Sequence, residues 1–321
     1  MLRSAKALIG AILSIGVAGA ASGSFAADMP VKAAALPPVV PLDVHGFFDY
    51  TIASTRVTGG GMLLYGKGPL SQVSTGLSLD LYKGPGPING VSVYGGIWNE
   101  WWHSAPVGTQ AWQEMDWWAG ISIKFAQRWN FKFEHVQFQF PTAPTAYNYL
   151  FYLGLDDTGL TPLPFALNPY VSAFYNASGR SNVATGQAGV ARWDFGIAPS
   201  FDFSKTSGVP LTITIPVWFS MAPTEYYDRH VAATALCGSG TNAPCATSNF
   251  GYFATGLKAK YSLAAWIPSR LGAWYLSGAA IYYHVNNDAL LASQTLTGAN
   301  TTFPAAERDI GVFTAGIGFT F

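Results

Sequence analysis

The chain has 321 residues, half of them hydrophobic and only 11% charged, with a formal net charge of zero. Soluble domains carry roughly 25% charged residues; a water-facing surface needs them, whereas a lipid-facing one cannot hold them. With no basic excess to neutralise phosphates, nucleic acid is not an expected partner.

Met1–Ala26 has the form of a secretory signal, with Arg3 and Lys6 first, an apolar run Ala7–Ala21 and a small-residue site at Ser24-Phe25-Ala26. Cleavage is expected after Ala26, with Ala27 as second choice. The run is short for a retained spanning helix, and no later window has the length and apolarity of one. Ala27–Leu42, rich in Pro and Ala, is expected to be an extended periplasmic tether outside the fold.

From Asp43 to Phe321 the apolar residues recur with period two between turn residues, the pattern of barrel strands. Twelve strands are expected. They are about Val44–Val57, Gln72–Tyr82, Val91–Trp102, Met115–Ala126, Trp129–Phe140, Tyr147–Asp156, Pro169–Asn176, Trp193–Phe203, Leu211–Met221, Tyr252–Leu263, Leu271–Val285 and Asp309–Phe321. In the fifth, Phe131 and Phe133 hold odd positions but Val136, Phe138 and Phe140 even ones. A β-bulge near Glu134–His135 would return both sets to the lipid side.

Odd-numbered connections are long: Thr58–Ser71, His103–Glu114, Ala177–Gly189, Ala222–Gly251 and Asn286–Arg308 fall outside the cell. Even-numbered ones such as Gln127–Arg128 are short and periplasmic. Asp157–Asn168 is long for a periplasmic turn and leaves the strand count open by about two. Ten rings near strand ends, Trp98, Trp101, Trp102, Trp112, Trp117, Trp118, Tyr147, Tyr149, Trp266 and Trp274, suit a membrane–water girdle; in a soluble sandwich they would be core.

Charged residues inside the strands share the phase opposite the apolar face. They are Asp49, Asp80, Glu100, Asp116, Glu134, Asp194 and Asp202, with Lys124, Lys132, Arg192, Lys258 and Lys260. Toward lipid at mid-depth each Lys or Arg would cost roughly 2–4 kcal/mol, so these side chains belong in the lumen or at a rim. They form either a constriction selecting small polar solutes or a ladder of ion pairs filling the barrel.

Cys237 and Cys245 (CGSGTNAPC) lie in the longest outer loop, and a local disulfide is favoured over a metal site. The five histidines show no ligand spacing, so no metal or other cofactor is expected. His103 and Ser104 are adjacent and point to opposite faces, which argues against a Ser–His catalytic pair. The expectation is a non-enzyme.

The last strand, DIGVFTAGIGFTF, puts Phe313, Ala315, Ile317, Phe319 and Phe321 on one face and Thr314, Gly316, Gly318 and Thr320 on the other. With its terminal Phe it resembles the carboxyl-terminal signature of bacterial outer-membrane β-barrel proteins and, more loosely, their small porins. The resemblance implies an all-β, antiparallel up-and-down barrel in the outer membrane of a Gram-negative cell. It also implies recognition of Phe313, Ile317, Phe319 and Phe321 by the barrel-assembly machinery, contact with outer-membrane lipid and transport of small polar solutes. The expected function is passive diffusion of small hydrophilic solutes. A lumen-filled barrel acting through its outer loops stands second and an outer-membrane lipid hydrolase third. Oligomeric state is not readable from these residues.

Overall fold

The computed structural model describes residues 43–57, 68–103, 111–141, 145–163, 165–178, 188–228, 248–291 and 307–321. The expected signal, tether and cysteine pair lie outside the described residues.

Fourteen strand segments form one antiparallel sheet. They are β1 (Asp43–Ala53), β2 (Leu70–Lys83), β3 (Ile88–Trp102), β4 (Trp112–Phe125), β5 (Trp129–Gln139), β6 (Ala146–Leu155) and β7 (Tyr170–Asn176). They continue with β8 (Ala191–Ile197), β9 (Ser200–Asp202), β10 (Leu211–Thr214), β11 (Val217–Met221), β12 (Phe250–Ser262), β13 (Ala273–Val285) and β14 (Asp309–Thr320). β1 to β8 pair consecutively, as do β12 to β14; β9 pairs β10, β10 and β11 both pair β12, and the β8–β11 and β1–β14 pairings close the sheet.

The fourteen segments make twelve staves, because β8–β9 and β10–β11 are single staves interrupted at Pro199 and Pro216. Proline offers no N–H to the ladder. The two breaks lie side by side, where Ile215 N–H donates to the Pro199 carbonyl at 2.9 Å. Register is the same on both sides of the break, Ile197 opposite Val217 and Asp202 opposite Thr212, so the alternation survives it.

The bulge expected near Glu134–His135 is absent. β5 pairs β4 without a shift, Gly120 opposite Glu134 and Asp116 opposite Phe138. Val136 and Phe138 therefore face the lumen, and His135 points outward among Trp117, Tyr147 and Tyr149 at 5.0–5.6 Å. The expectation assumed a polar lumen throughout, but its outer part also takes apolar side chains. The same register turns Trp98, Trp102 and Trp118 inward, so these three do not belong to an interfacial girdle. Shifts do occur at Asp80/Tyr82 and at Glu100/Trp101.

At the periplasmic end the turns are tight. The turn after β6 is folded: Asn168 N–H donates to Asp157 Oδ1 at 2.7 Å, and Arg128 donates to the carbonyls of Asp156 and Thr158 at 3.2 and 2.6 Å. Asp156 accepts from Thr158 N–H at 3.0 Å, and bonding to that residue's hydroxyl and amide holds its carboxyl below the usual range.

Short helical segments lie between strands among the described residues. Helix α1 (Phe203–Ser207) is capped by Asp202, which accepts from Ser204 N–H at 3.0 Å. Helix α2 (Thr224–Asp228) follows β11 and folds into the outer mouth.

Candidate functional site

The ladder pairings fix which side chains share the lumen. Around the barrel, Asp49 lies opposite Ser74, Ser74 opposite Trp98 and Trp98 opposite Asp116. Continued through every pair, this places all twelve charges singled out above on the inner face or its rim.

At the periplasmic end is a vestibule of about 1010 Å3. Lys124 and Lys132 line it from adjacent strands, each opposite a small polar partner, Asn130 and Ser122. Neither lysine forms an ion pair among the described residues. At its rim Asp43, His45 and Asp80 have ligand atoms within 4.8 Å of one another, but Lys83 Nζ lies 2.7 Å from each aspartate. The ammonium supplies the positive charge a metal ion would bring.

Midway along the lumen, the Tyr275 hydroxyl donates to Asp49 across β14, and Lys260 Nζ sits 3.4 Å from the centre of the Tyr275 ring. Toward the outer end, Arg56 Nη1 joins Glu100 at 3.0 Å and also pairs with Glu114. Glu100 accepts further from Gln72 at 3.0 Å and Trp102 Nε1 at 2.9 Å. Glu100, Glu114 and Asp116 are all buried. Tyr94 extends over Gly120, which pairs with both it and Glu134. Arg192 and Asp194, two apart on β8, form a two-point pair at 3.2 and 3.1 Å.

Several of these partners escaped sequence analysis. Arg56 fell within the expected first strand but on the parity opposite to Asp49, and it lies just past the end of β1; Glu114 was assigned to a loop although it shares the parity of Asp116. The larger omission is the packing in the mouth. Tyr226 and Tyr227 of α2, with Ala289 and Leu290, bury themselves against inward-facing Tyr252, Ala254, Val285 and Ile310. Asn287 Oδ1 caps this second segment, accepting from Ala289 and Leu290 N–H at 3.0 and 3.3 Å. Helical turns within predicted loops leave no period-two signal.

His103 hydrogen-bonds Ser71 at 2.7 Å, and Ser71 also meets the Tyr50 hydroxyl at 3.0 Å. This trio lies on the outward face at the outer rim; Ser71 is only 6% exposed. Ser104, the neighbour weighed from sequence, is outside the described residues.

A closed twelve-stave barrel, apolar outside and charged inside, with short turns at one end, defines a bacterial outer-membrane β-barrel protein. No family model and no curated protein matches the chain. Among solved structures it is similar to the NanC porin at 10% identity, covering 85% of this chain and 98% of that one with a TM-score of 0.41. It is similar to OprD of Pseudomonas aeruginosa at 8% identity, 88% and 95% coverage and a TM-score of 0.31. The β domain of the Bordetella autotransporter BrkA gives 11%, 87% and 100%, and 0.37. The assignment rests on the barrel's own pairing and faces, not on these likenesses.

Proposed function

We propose that the barrel is a passive channel for small hydrophilic solutes across the outer membrane, working without a cofactor. The observation that carries this reading is the open periplasmic vestibule lined by Lys124 and Lys132, neither of which forms an ion pair among the described residues. A lumen that served only as packing would neutralise such charges or fill the space around them. Cleavage after Ala26, the tether Ala27–Leu42, insertion through Phe313, Ile317, Phe319 and Phe321, and a Cys237–Cys245 disulfide belong to the same proposal.

Single-channel recording on the refolded protein in a planar bilayer at two salt concentrations tests it. Discrete steps that scale with salt are expected, and neutralising Asp80, Glu100 or Lys124 should move the reversal potential. A folded, inserted protein that passes no current would overturn the reading. The second reading, a filled barrel acting through its outer loops, would then stand; the packed α2 segment in the mouth supports it.

A further inference from the structure

Next to the α2 packing the lumen holds a second chamber of about 320 Å3, and its lining differs from that of the vestibule. One wall is aromatic: Trp218 and Tyr283 meet edge to face at 5.7 Å and 89°, and Tyr252 lies 5.9 Å from Tyr283. Tyr170 and Phe174 of β7 continue the lining. Inward-facing Gly196 makes this arrangement possible, since a Cβ there would come within 2.6 Å of the Tyr170 ring and 2.8 Å of Trp218. Its charges are Arg192, Asp194 and Lys258. Arg192 is neutralised by Asp194 and lies over the Phe174 ring at 4.2 Å, whereas Lys258 forms no ion pair among the described residues. Among the described residues, the chamber therefore combines flat aromatic walls with one cation, Lys258, that has no ion-pair partner.

We infer that this chamber binds a monovalent organic anion bearing a planar ring, in chemical class an aromatic carboxylate. The inference deepens the channel reading and rests on it for its biological meaning. Lys258 supplies the counter-charge, and the rings of Trp218, Tyr252 and Tyr283 supply stacking surface. A small acid such as acetate gains the charge but leaves the walls unused. An aromatic cation gains the walls but meets Lys258 and no free carboxylate, because Asp194 is already held by Arg192.

Calorimetry on the refolded full barrel in detergent, with benzoate, acetate and benzylammonium as probes, tests this without requiring current. Benzoate should bind at one site, at least about tenfold tighter than either other probe. Lys258→Gln should weaken benzoate by about tenfold or more and Lys258→Arg should restore it, while Trp218→Leu should weaken benzoate and leave acetate unchanged. Slower migration after boiling verifies that each variant is folded. Benzylammonium binding as tightly as benzoate, or a benzoate affinity untouched by Lys258→Gln, would overturn the inference. Benzoate binding in a barrel that passes no current would sink the channel reading alone; current without such discrimination would sink only this inference.

Discussion

The Tyr275 hydroxyl reaches Asp49 across a strand that stands between them, and it does so over Gly318. Gly318 pairs with both residues, and a Cβ there would collide with the Asp49 carboxylate and come within 2.7 Å of the Tyr275 ring and of the Phe48 carbonyl. Gly318→Ala should therefore cost about 1–3 kcal/mol by overpacking and open the Asp49–Tyr275 contact. Gly278→Ala is the control: the one atom its Cβ would meet is the Thr314 carbonyl oxygen at an ordinary 3.5 Å. Urea unfolding in lipid vesicles should place Gly318→Ala well below wild type and Gly278→Ala close to it; equal midpoints would contradict the packing argument.

Arg56 is the cation shared by Glu100 and Glu114, whose side chains are 0% and 1% exposed. Removing it leaves both carboxylates buried without a counter-charge, a loss of about 3–5 kcal/mol in comparable buried pairs. Arg56→Gln should lower the unfolding midpoint, and adding Glu114→Gln should recover part of it, because one orphaned charge is then gone. A double variant no better than the single one would mean that Arg56 acts through its packing on Trp98, 4.8 Å away.

The barrel and its inner face were legible because two faces of one strand meet different solvents, and strand period two records this directly. Asp49, Glu100 and Lys258 could be assigned inward with no knowledge of their partners. The partners themselves were hidden: Tyr275 has the same parity signal as any inward residue, and nothing local says that its hydroxyl spans Gly318. Val136 and Phe138 misled because they are apolar in the lumen, where the outer mouth is packed rather than wet. Pro199 and Pro216 were visible, but their alignment as neighbouring breaks depends on register between staves, which no single segment contains.

The turn joining β4 to β5 holds two side-chain residues in the left-handed region, Ala126 at φ 47° and Gln127 at φ 63°. Each costs an ordinary L residue about 1–2 kcal/mol, and Asn-Gly is the pair that accepts such a turn. Ala126→Asn with Gln127→Gly should stabilise the barrel by about 1 kcal/mol, read as a higher urea midpoint. A lower midpoint would show that the native side chains make compensating contacts.

Asp156 caps its own turn by accepting from Thr158, and its pKa lies below the ordinary 3.8. A carboxyl depressed by folding contributes stability above the unfolded value, and that contribution is lost as pH falls through the folded one. The Asp156 carboxyl resonance should accordingly titrate below 3.8, and Thr158→Ala should move it back up, since the hydroxyl bond is lost. A titration at 3.8 in both proteins would remove Asp156 from the turn's account.

Tyr227 is fully buried in the outer mouth, against a lumen-facing wall that includes Tyr252 and Ala254. The ring pins α2 against that wall. Gly251 sits directly beneath it, where a Cβ would come within 3.0 Å of the ring. Tyr227→Ala removes packing worth about 3–5 kcal/mol for a large aromatic side chain. Much of that loss should fall on the α2 segment, because the twelve-stave ladder closes without it. Single-channel traces should then show larger steps with more open-state noise, at little change in barrel unfolding. If α2 instead lies clear of the conducting path, Tyr227→Ala will leave step size and noise at their wild-type values while lowering protection of α2 amides from hydrogen exchange.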